Sequence, residues 1–130
     1  MQFNKEQVLD FLPHRAPFLF IDTVESVTLP SDLPEEPTGK DLIGTEVVAH
    51  FEVKEDLEIL KGHFPGNPIL PGVIQTEMMA QSAAFASIGM RKKGQEDYGV
   101  ETLLLGVETC KFRKPILPGM KLRICGKMSK

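Results

Sequence analysis

The sequence predicts an α+β fold in which an antiparallel sheet wraps around one long helix. Residues 73–90, VIQTEMMAQSAAFASIGM, are apolar or small on every side and carry a single charge, Glu77. Short segments rich in branched and aromatic residues flank this stretch and are separated by turn-forming residues. Because a helix without a polar face must be covered by other elements, we expect the flanking strands to enclose it.

The ends of the two predicted helices carry recognisable signals. Asn4 and Gln7 have the spacing of a capping box, so a short first helix is expected to end at Pro13. The long helix follows Pro71 and Gly72, and its end is marked by Arg91, Lys92, Lys93 and Gly94. A membrane span is the competing interpretation of 73–90, but its polar residues favour a helix enclosed by protein.

The predicted strands lie on both sides of the long helix. A polar, proline-rich loop at 29–42 joins the first two, and a tight turn at Pro118 and Gly119 precedes the last. The predicted strand ranges are 18–29, 42–53, 101–108, 109–116 and 120–128.

Composition limits the class of protein. The chain has 130 residues, 42% hydrophobic and 25% charged, with a net charge of -3, so we expect one domain over 1–130 and no general nucleic-acid binding. The N-terminus lacks the pattern of a signal peptide, so a cytoplasmic location is expected. Cys110 and Cys125 have no metal-binding spacing and are expected to be reduced and buried.

The candidate chemistry lies in the loop KGHFPGNPILPG, residues 61–72, and in the helix that follows it. Alternating proline and glycine specify one path for the loop, and His63 within it has the near-neutral reference pKa that suits proton transfer. Enclosing Glu77 in an apolar helix should raise its pKa. Gln81, one turn on, can hydrogen-bond Glu77, and free N–H groups near Gly72 can bind a carbonyl oxygen that gains negative charge.

Structural roles remain open for each of these residues. A loop histidine is often a hydrogen-bonded surface residue, and this interpretation is given to His14 and His50. Glu77 is equally consistent with a structural carboxylate satisfied by backbone donors, or paired with Arg113 or Arg123. These patterns alone therefore leave the function open.

Three blocks resemble the bacterial 3-hydroxyacyl-[acyl-carrier-protein] dehydratases of fatty-acid synthesis, the FabZ type of the hotdog superfamily. The blocks are LPHRAPFLFID at 12–22, GHFPGNPILPGVIQTEMMAQSA at 62–83 and FRKPILPGMKL at 112–122. The resemblance implies a hotdog fold and a homodimer, or a trimer of dimers, in which each site combines a histidine from one subunit with an acid from the other. It implies no metal and no organic cofactor, because the substrate arrives on the phosphopantetheine arm of acyl carrier protein.

Carried onto this sequence, the resemblance makes His63 the base and Glu77 the acid, with Gly72, Phe64 and Gln81 in substrate binding. Glutamate at position 77 is similar to the branch that dehydrates without isomerising the product. Acyl carrier protein is acidic, so a basic docking patch is expected. Its candidates are Lys111, Arg113 and Lys114, whereas Arg91, Lys92 and Lys93 are better explained by the helix dipole.

Two features depart from the resemblance. Members of the family continue with two further strands beyond the position of Lys130, so the sheet is expected to be incomplete or to be completed by a neighbour. The 29–42 connection is also longer than usual and is expected to be a surface excursion. The alternative functions are a hotdog acyl thioesterase, which the HFPGNP loop disfavours, and a non-catalytic module that binds acyl carrier protein.

Overall fold

The computed structural model describes residues 1–91 and 103–130. In chain order the elements are helix α1 (Lys5–Phe11), strands β1 (Thr23–Thr28) and β2 (Glu46–Glu52), helix α2 (Gly72–Ala84) and strand β3 (Lys121–Lys127). Single 3-10 segments lie at Glu58–Lys61 and Phe85–Met90. Lys92, Lys93, Gly94 and the first two residues of the strand predicted at 101–108 lie outside the described residues.

The three strands form one antiparallel sheet in the order β1-β2-β3. Val47, Ala49 and Phe51 alternate along β2 as buried residues, which gives the sheet one apolar face. Helix α2 packs against this face, and its buried residues join those of β2 in one core. The predicted arrangement of an antiparallel sheet around a central helix is confirmed.

The predicted start of α1 is confirmed in detail. The Asn4 side chain accepts from the Gln7 backbone N–H at 2.9 Å, and the Gln7 side chain accepts from the Asn4 N–H at 2.8 Å. This reciprocal pairing satisfies two N–H groups that have no partner inside the helix.

The predicted helix at 73–90 is α-helical as far as Ala84 and continues as a 3-10 segment to Met90. The Ser87 hydroxyl donates to the Ala84 carbonyl at 2.7 Å, which competes with regular α-helical bonding. A Cβ on Gly89 would lie 2.5 Å from a Leu42 methyl carbon, so this tighter segment packs closely on the loop that precedes β2.

Several predicted strands were too long or wrong. Residues 18–22 and 42–45 are not in the ladder, and 103–108 and 109–116 are not strands. A pattern of branched and aromatic residues favours a strand, but a ladder needs a partner edge, and 103–116 pairs with no strand of the described sheet. The turn at Pro118 and Gly119 is present, with φ of 88° at Gly119, and leads into β3.

The predicted helix at 73–90 keeps a few exposed positions in the single chain. Val73 is 76% exposed, and Met79, Ala83 and Met90 are also exposed along one side of the helical segments. The three described strands cover only the opposite side. No helix in the described part of the chain is long and apolar enough to cross a membrane.

Both cysteines are free thiols, but they are not buried as expected. Cys110 is half-buried, and Cys125 is exposed because it shares the outward face of β3 with Arg123.

Candidate active site

His63 lies in a loop that its own backbone bonds define. The Phe64 N–H donates to the Asn67 carbonyl at 2.9 Å, and the Asn67 N–H donates to the Phe64 carbonyl at 2.8 Å. These two hydrogen bonds close a tight turn. Gly66 lies within this turn at φ of 73°, a conformation that glycine adopts without strain. The loop is therefore specified as its proline and glycine content predicted.

The hydrogen bonds of His63 fix which ring nitrogen is available for chemistry. Its Nδ1 lies 2.7 Å from the Ile69 carbonyl oxygen, and the Ile69 N–H donates to the His63 carbonyl at 2.8 Å. Because a carbonyl oxygen only accepts, Nδ1 must carry the hydrogen. Neutral His63 thus keeps an unprotonated Nε2 that can take a proton. The exposed Phe64 ring stacks on the imidazole, with ring centres 4.1 Å apart.

Glu77 projects from the middle of α2 and is held by a buried amide. The Gln81 Nε2 donates to Glu77 Oε1 at 3.1 Å and to the Phe18 carbonyl at 3.0 Å, while Gln81 Oε1 accepts from the Phe20 N–H at 2.8 Å. Gln81 is 1% exposed, so its side chain links α2 to the chain before β1. The expected Gln81–Glu77 hydrogen bond is confirmed, whereas the predicted role of Gln81 in substrate binding is untested.

His14 is the site neighbour that the sequence interpretation missed. Its Nε2 lies 3.4 Å from Glu77 Oε1, and the two side chains are 25% and 24% exposed. The partners named in the structural alternatives are not those of Glu77 among the described residues: Arg123 pairs with Glu25, Arg113 forms no ion pair with Glu77, and the donors to Glu77 are side chains rather than backbone groups. The available signal was the position of His14 within the first resembling block.

Glu77, Gln81 and His14 line a cavity of about 750 Å³. Its walls are mostly apolar and small, with Ala80, Ala83 and Ala84 from α2 and Ile124 and Met128 from the β3 side. His63 does not line it, and among the described residues no hydrogen bond or ion pair joins His63 to Glu77. The cavity therefore offers space for a slender apolar chain beside the carboxylate, and the described residues of one chain do not pair the base with the acid.

Gly72 begins α2 at a close packing point. A Cβ on Gly72 would lie 2.9 Å from the nearest atom of the Phe112 ring. Among the described residues, no acceptor pairs with the N–H of Gly72 or Val73, as expected for the first turn of a helix. These N–H groups are free to bind an oxygen.

The basic residues predicted for docking and for the helix end lie outside the group formed by Glu77, Gln81 and His14. Lys111, Arg113 and Lys114 are exposed in the irregular segment before β3. Arg91 is exposed at the end of the 3-10 segment. No group of three His, Cys, Asp or Glu side chains in the described ranges has the arrangement of a metal site.

An antiparallel sheet wrapped around one central helix is the arrangement of hotdog-fold proteins. Comparison with known families then identifies the chain: it belongs to the ApeI-like family, described as ApeI dehydratase, whose family model matches residues 40–130.

Curated relatives extend the match towards the N-terminus. The chain is 36% identical over 124 residues to "3-hydroxyacyl-[acyl-carrier-protein] dehydratase FabZ" of Alkaliphilus metalliredigens, an alignment that covers 95% of this chain and 72% of the relative. Similar proteins of the same name occur in Erythrobacter litoralis, 38% identical with 92% and 69% covered, and in Ehrlichia canis, 37% identical with 95% and 74% covered. The expected family is confirmed.

Proposed function

We propose that this chain removes water from a (3R)-3-hydroxyacyl thioester carried on acyl carrier protein and yields the trans-2-enoyl thioester, in fatty-acid or related lipid biosynthesis. The observation that carries the proposal is His63, a loop histidine with a fixed tautomer, in a chain that belongs to a dehydratase family. Membership of that family supports a hydro-lyase, and the geometry supports the assignment of roles below.

His63 acts as the base in this proposal. With Nδ1 bound to the Ile69 carbonyl, Nε2 is the nitrogen that removes the α-proton of the thioester. The hydrogen bond from Nδ1 to the Ile69 carbonyl also orients the imidazole and stabilises the imidazolium that forms after proton transfer. General acid-base catalysis of this kind contributes roughly 10² to 10⁴ in rate.

Glu77 protonates the departing β-hydroxyl, which leaves as water. Gln81 holds the carboxyl through Oε1 and so fixes the acid beside the cavity that it helps to line. The Gly72 N–H binds the thioester oxygen as enolate charge develops. A donor of this type is typically worth ~3 to 4 kcal/mol of barrier. The cavity beside Ala80 and Ala84 receives the acyl chain, and Phe64 packs on His63 at the entrance.

The site is completed by a second chain. Because no hydrogen bond or ion pair joins His63 to Glu77 within the described residues of one chain, we assign His63 of one subunit and Glu77 of its partner to each site of a homodimer. The exposed apolar side of α2 supports such an interface. Assembly of three dimers into a hexamer is compatible with the same pairing.

The partner that delivers the substrate is acyl carrier protein, and the exposed Lys111, Arg113 and Lys114 form the proposed docking patch for its acidic surface. The phosphopantetheine arm carries the thioester, and both proton transfers are assigned to side chains, so the mechanism uses no metal or organic cofactor. A cytoplasmic location belongs to the same proposal.

The test is a spectroscopic assay with 3-hydroxybutanoyl-acyl carrier protein. We expect enone absorbance to rise without release of thiol, and His63→Ala to lower the rate by orders of magnitude while circular dichroism shows an unchanged fold. Release of free thiol would instead identify a thioesterase. Binding of acyl carrier protein without turnover would identify a non-catalytic module, and either result would overturn the proposal.

A further inference from the structure

We infer that His14 is a positioning residue for Glu77, and that together with Gln81 it directs one particular carboxyl oxygen, Oε2, at the substrate. This inference rests on the proposed function, because it assigns Glu77 as the acid. It adds a residue from the segment before β1, outside both the loop of His63 and the start of α2.

His14 and Gln81 both contact the same oxygen of the Glu77 carboxyl. His14 Nε2 lies 3.4 Å from Glu77 Oε1, and Gln81 Nε2 donates to that oxygen at 3.1 Å. Within the described residues, no other polar side chain contacts the carboxyl. Oε2 is therefore the oxygen that can hold the proton and donate it to the departing hydroxyl.

The direction of the His14 contact follows from its ring nitrogens. Oε1 already accepts from Gln81 and the acid proton is assigned to Oε2, so His14 Nε2 must carry the hydrogen for its contact with Oε1 to be favourable. The Nδ1 atom is buried without a partner among the described residues, so it makes no hydrogen bond that would compete for the ring hydrogen. The contact with Glu77 thus favours the Nε2–H tautomer.

His14 is held in place from outside the site. The Arg15 guanidinium donates through one nitrogen to the Leu12 carbonyl at 2.8 Å and to the His14 carbonyl at 2.6 Å, and the Phe18 N–H donates to the Arg15 carbonyl at 2.8 Å. Gln81 bonds to the backbone of Phe18 and Phe20 just beyond. One segment before β1 therefore fixes both groups that hold Glu77.

The experiment compares two substitutions at His14 in the dehydration assay. His14→Phe keeps a planar ring but removes the N–H donor, and we expect kcat to fall about tenfold or more with little change in KM. His14→Gln places an amide N–H at a similar reach, and we expect it to restore much of kcat. Equal losses in both folded variants, or wild-type kcat in His14→Phe, would overturn the inference.

A matched control is available in the sheet. His50 also contacts a glutamate, Glu25, at 3.1 Å, but it lies on β2 away from the cavity. His50→Phe should therefore leave kcat unchanged. If it lowers kcat as much as His14→Phe, the effect of the substitution is general and the inference fails.

Imidazole ¹⁵N NMR tests the contact without any turnover. We expect the His14 Nε2 resonance to shift in Glu77→Gln, whereas an unchanged resonance would overturn the inference. An inactive wild-type protein with the expected NMR shift would contradict the proposed function alone, so the two failures are distinguishable.

Discussion

Gly72 matters at the scale of single residues because it combines two demands. Its N–H is proposed to bind the thioester oxygen, and its Cα faces the Phe112 ring so closely that a Cβ would lie 2.9 Å from the nearest ring atom. Any residue except proline supplies the N–H, but a larger residue needs movement of the Phe112 ring or of the helix start.

Gly72→Ala is expected to lower both stability and activity. The added methyl must displace the half-exposed Phe112 ring, and overpacking of this kind typically costs roughly 1 to 3 kcal/mol of unfolding free energy. Urea denaturation followed by circular dichroism measures the loss. In a Phe112→Ala background the same substitution should cost much less, and an equal cost in both backgrounds would show that the ring is not the cause.

Local spacing was enough to predict some of the site residues. Helical periodicity placed Gln81 beside Glu77, and the proline and glycine pattern predicted an ordered loop around His63. The contact of His14 with Glu77 was not predictable, because it depends on how the segment before β1 folds back onto α2. The residue pattern around His14 gives no sign of this tertiary neighbour, and only its position within the first resembling block singled it out.

At the scale of elements, one cluster of charged and polar side chains crosses all three strands. Glu25 lies at a bulge in β1, between Val24 and Ser26, and pairs with His50 of β2 at 3.1 Å and with Arg123 of β3 at 3.4 Å. The hydrogen bond with His50, followed by the influence of Arg123, holds the pKa of Glu25 below its ordinary value of 4.5. The cluster thus joins the strands most strongly when Glu25 is ionised.

The sign of the pH effect follows from this lowered pKa. The folded state binds the proton more weakly than the unfolded state, so the stabilisation is present above pH 4.5 and is lost as the pH falls through the folded pKa. Glu25→Gln should therefore be less stable than the wild type at about pH 6, and the difference should shrink by about pH 3.

Urea titrations at the two pH values measure the difference. In a variant that already lacks His50, most of the stability difference that Glu25→Gln causes should disappear, because His50 is the main cause of the lowered pKa of Glu25. A difference between wild type and Glu25→Gln that stays constant with pH would contradict this account.

The elements themselves were predictable to different degrees. The capping box of α1 and the turn at Pro118 and Gly119 are local signals, and both are present. The strand predicted at 109–116 was wrong. Its side chains have the pattern of a strand, but its backbone does not pair with a strand of the described sheet. Among the described residues, it accepts an isolated backbone hydrogen bond from the Leu70 N–H to the Ile116 carbonyl at 2.9 Å.

At the scale of the whole molecule, two groups of exposed apolar side chains among the described residues bear on assembly. One is the exposed side of α2, with Val73 and Met79, and the other is the run Leu103, Leu104 and Leu105. Exposed apolar surface of this extent is typical of an interface. It lies near the cavity that holds Glu77, so the same association that covers it would complete the proposed site.

Leu105→Lys is expected to weaken self-association without unfolding the chain. Leu105 is 96% exposed, so a lysine there costs little in the isolated chain but places a charge in the proposed interface. The dissociation constant should rise at least about tenfold, measured by analytical ultracentrifugation. Leu105→Met is the matched control and should associate as the wild type does. An unchanged constant in Leu105→Lys would place the interface elsewhere.

The central claim, that each site takes His63 from one chain and Glu77 from the other, is tested most directly by mixing two inactive variants. His63→Ala and Glu77→Gln are each unfolded, mixed in equal amounts and refolded, and dehydration is assayed. About a quarter of wild-type activity is predicted, because half the dimers are mixed and each mixed dimer holds one intact site of two. Activity that stays at the level of the separate variants, although mass spectrometry shows that mixed dimers have formed, would contradict the claim.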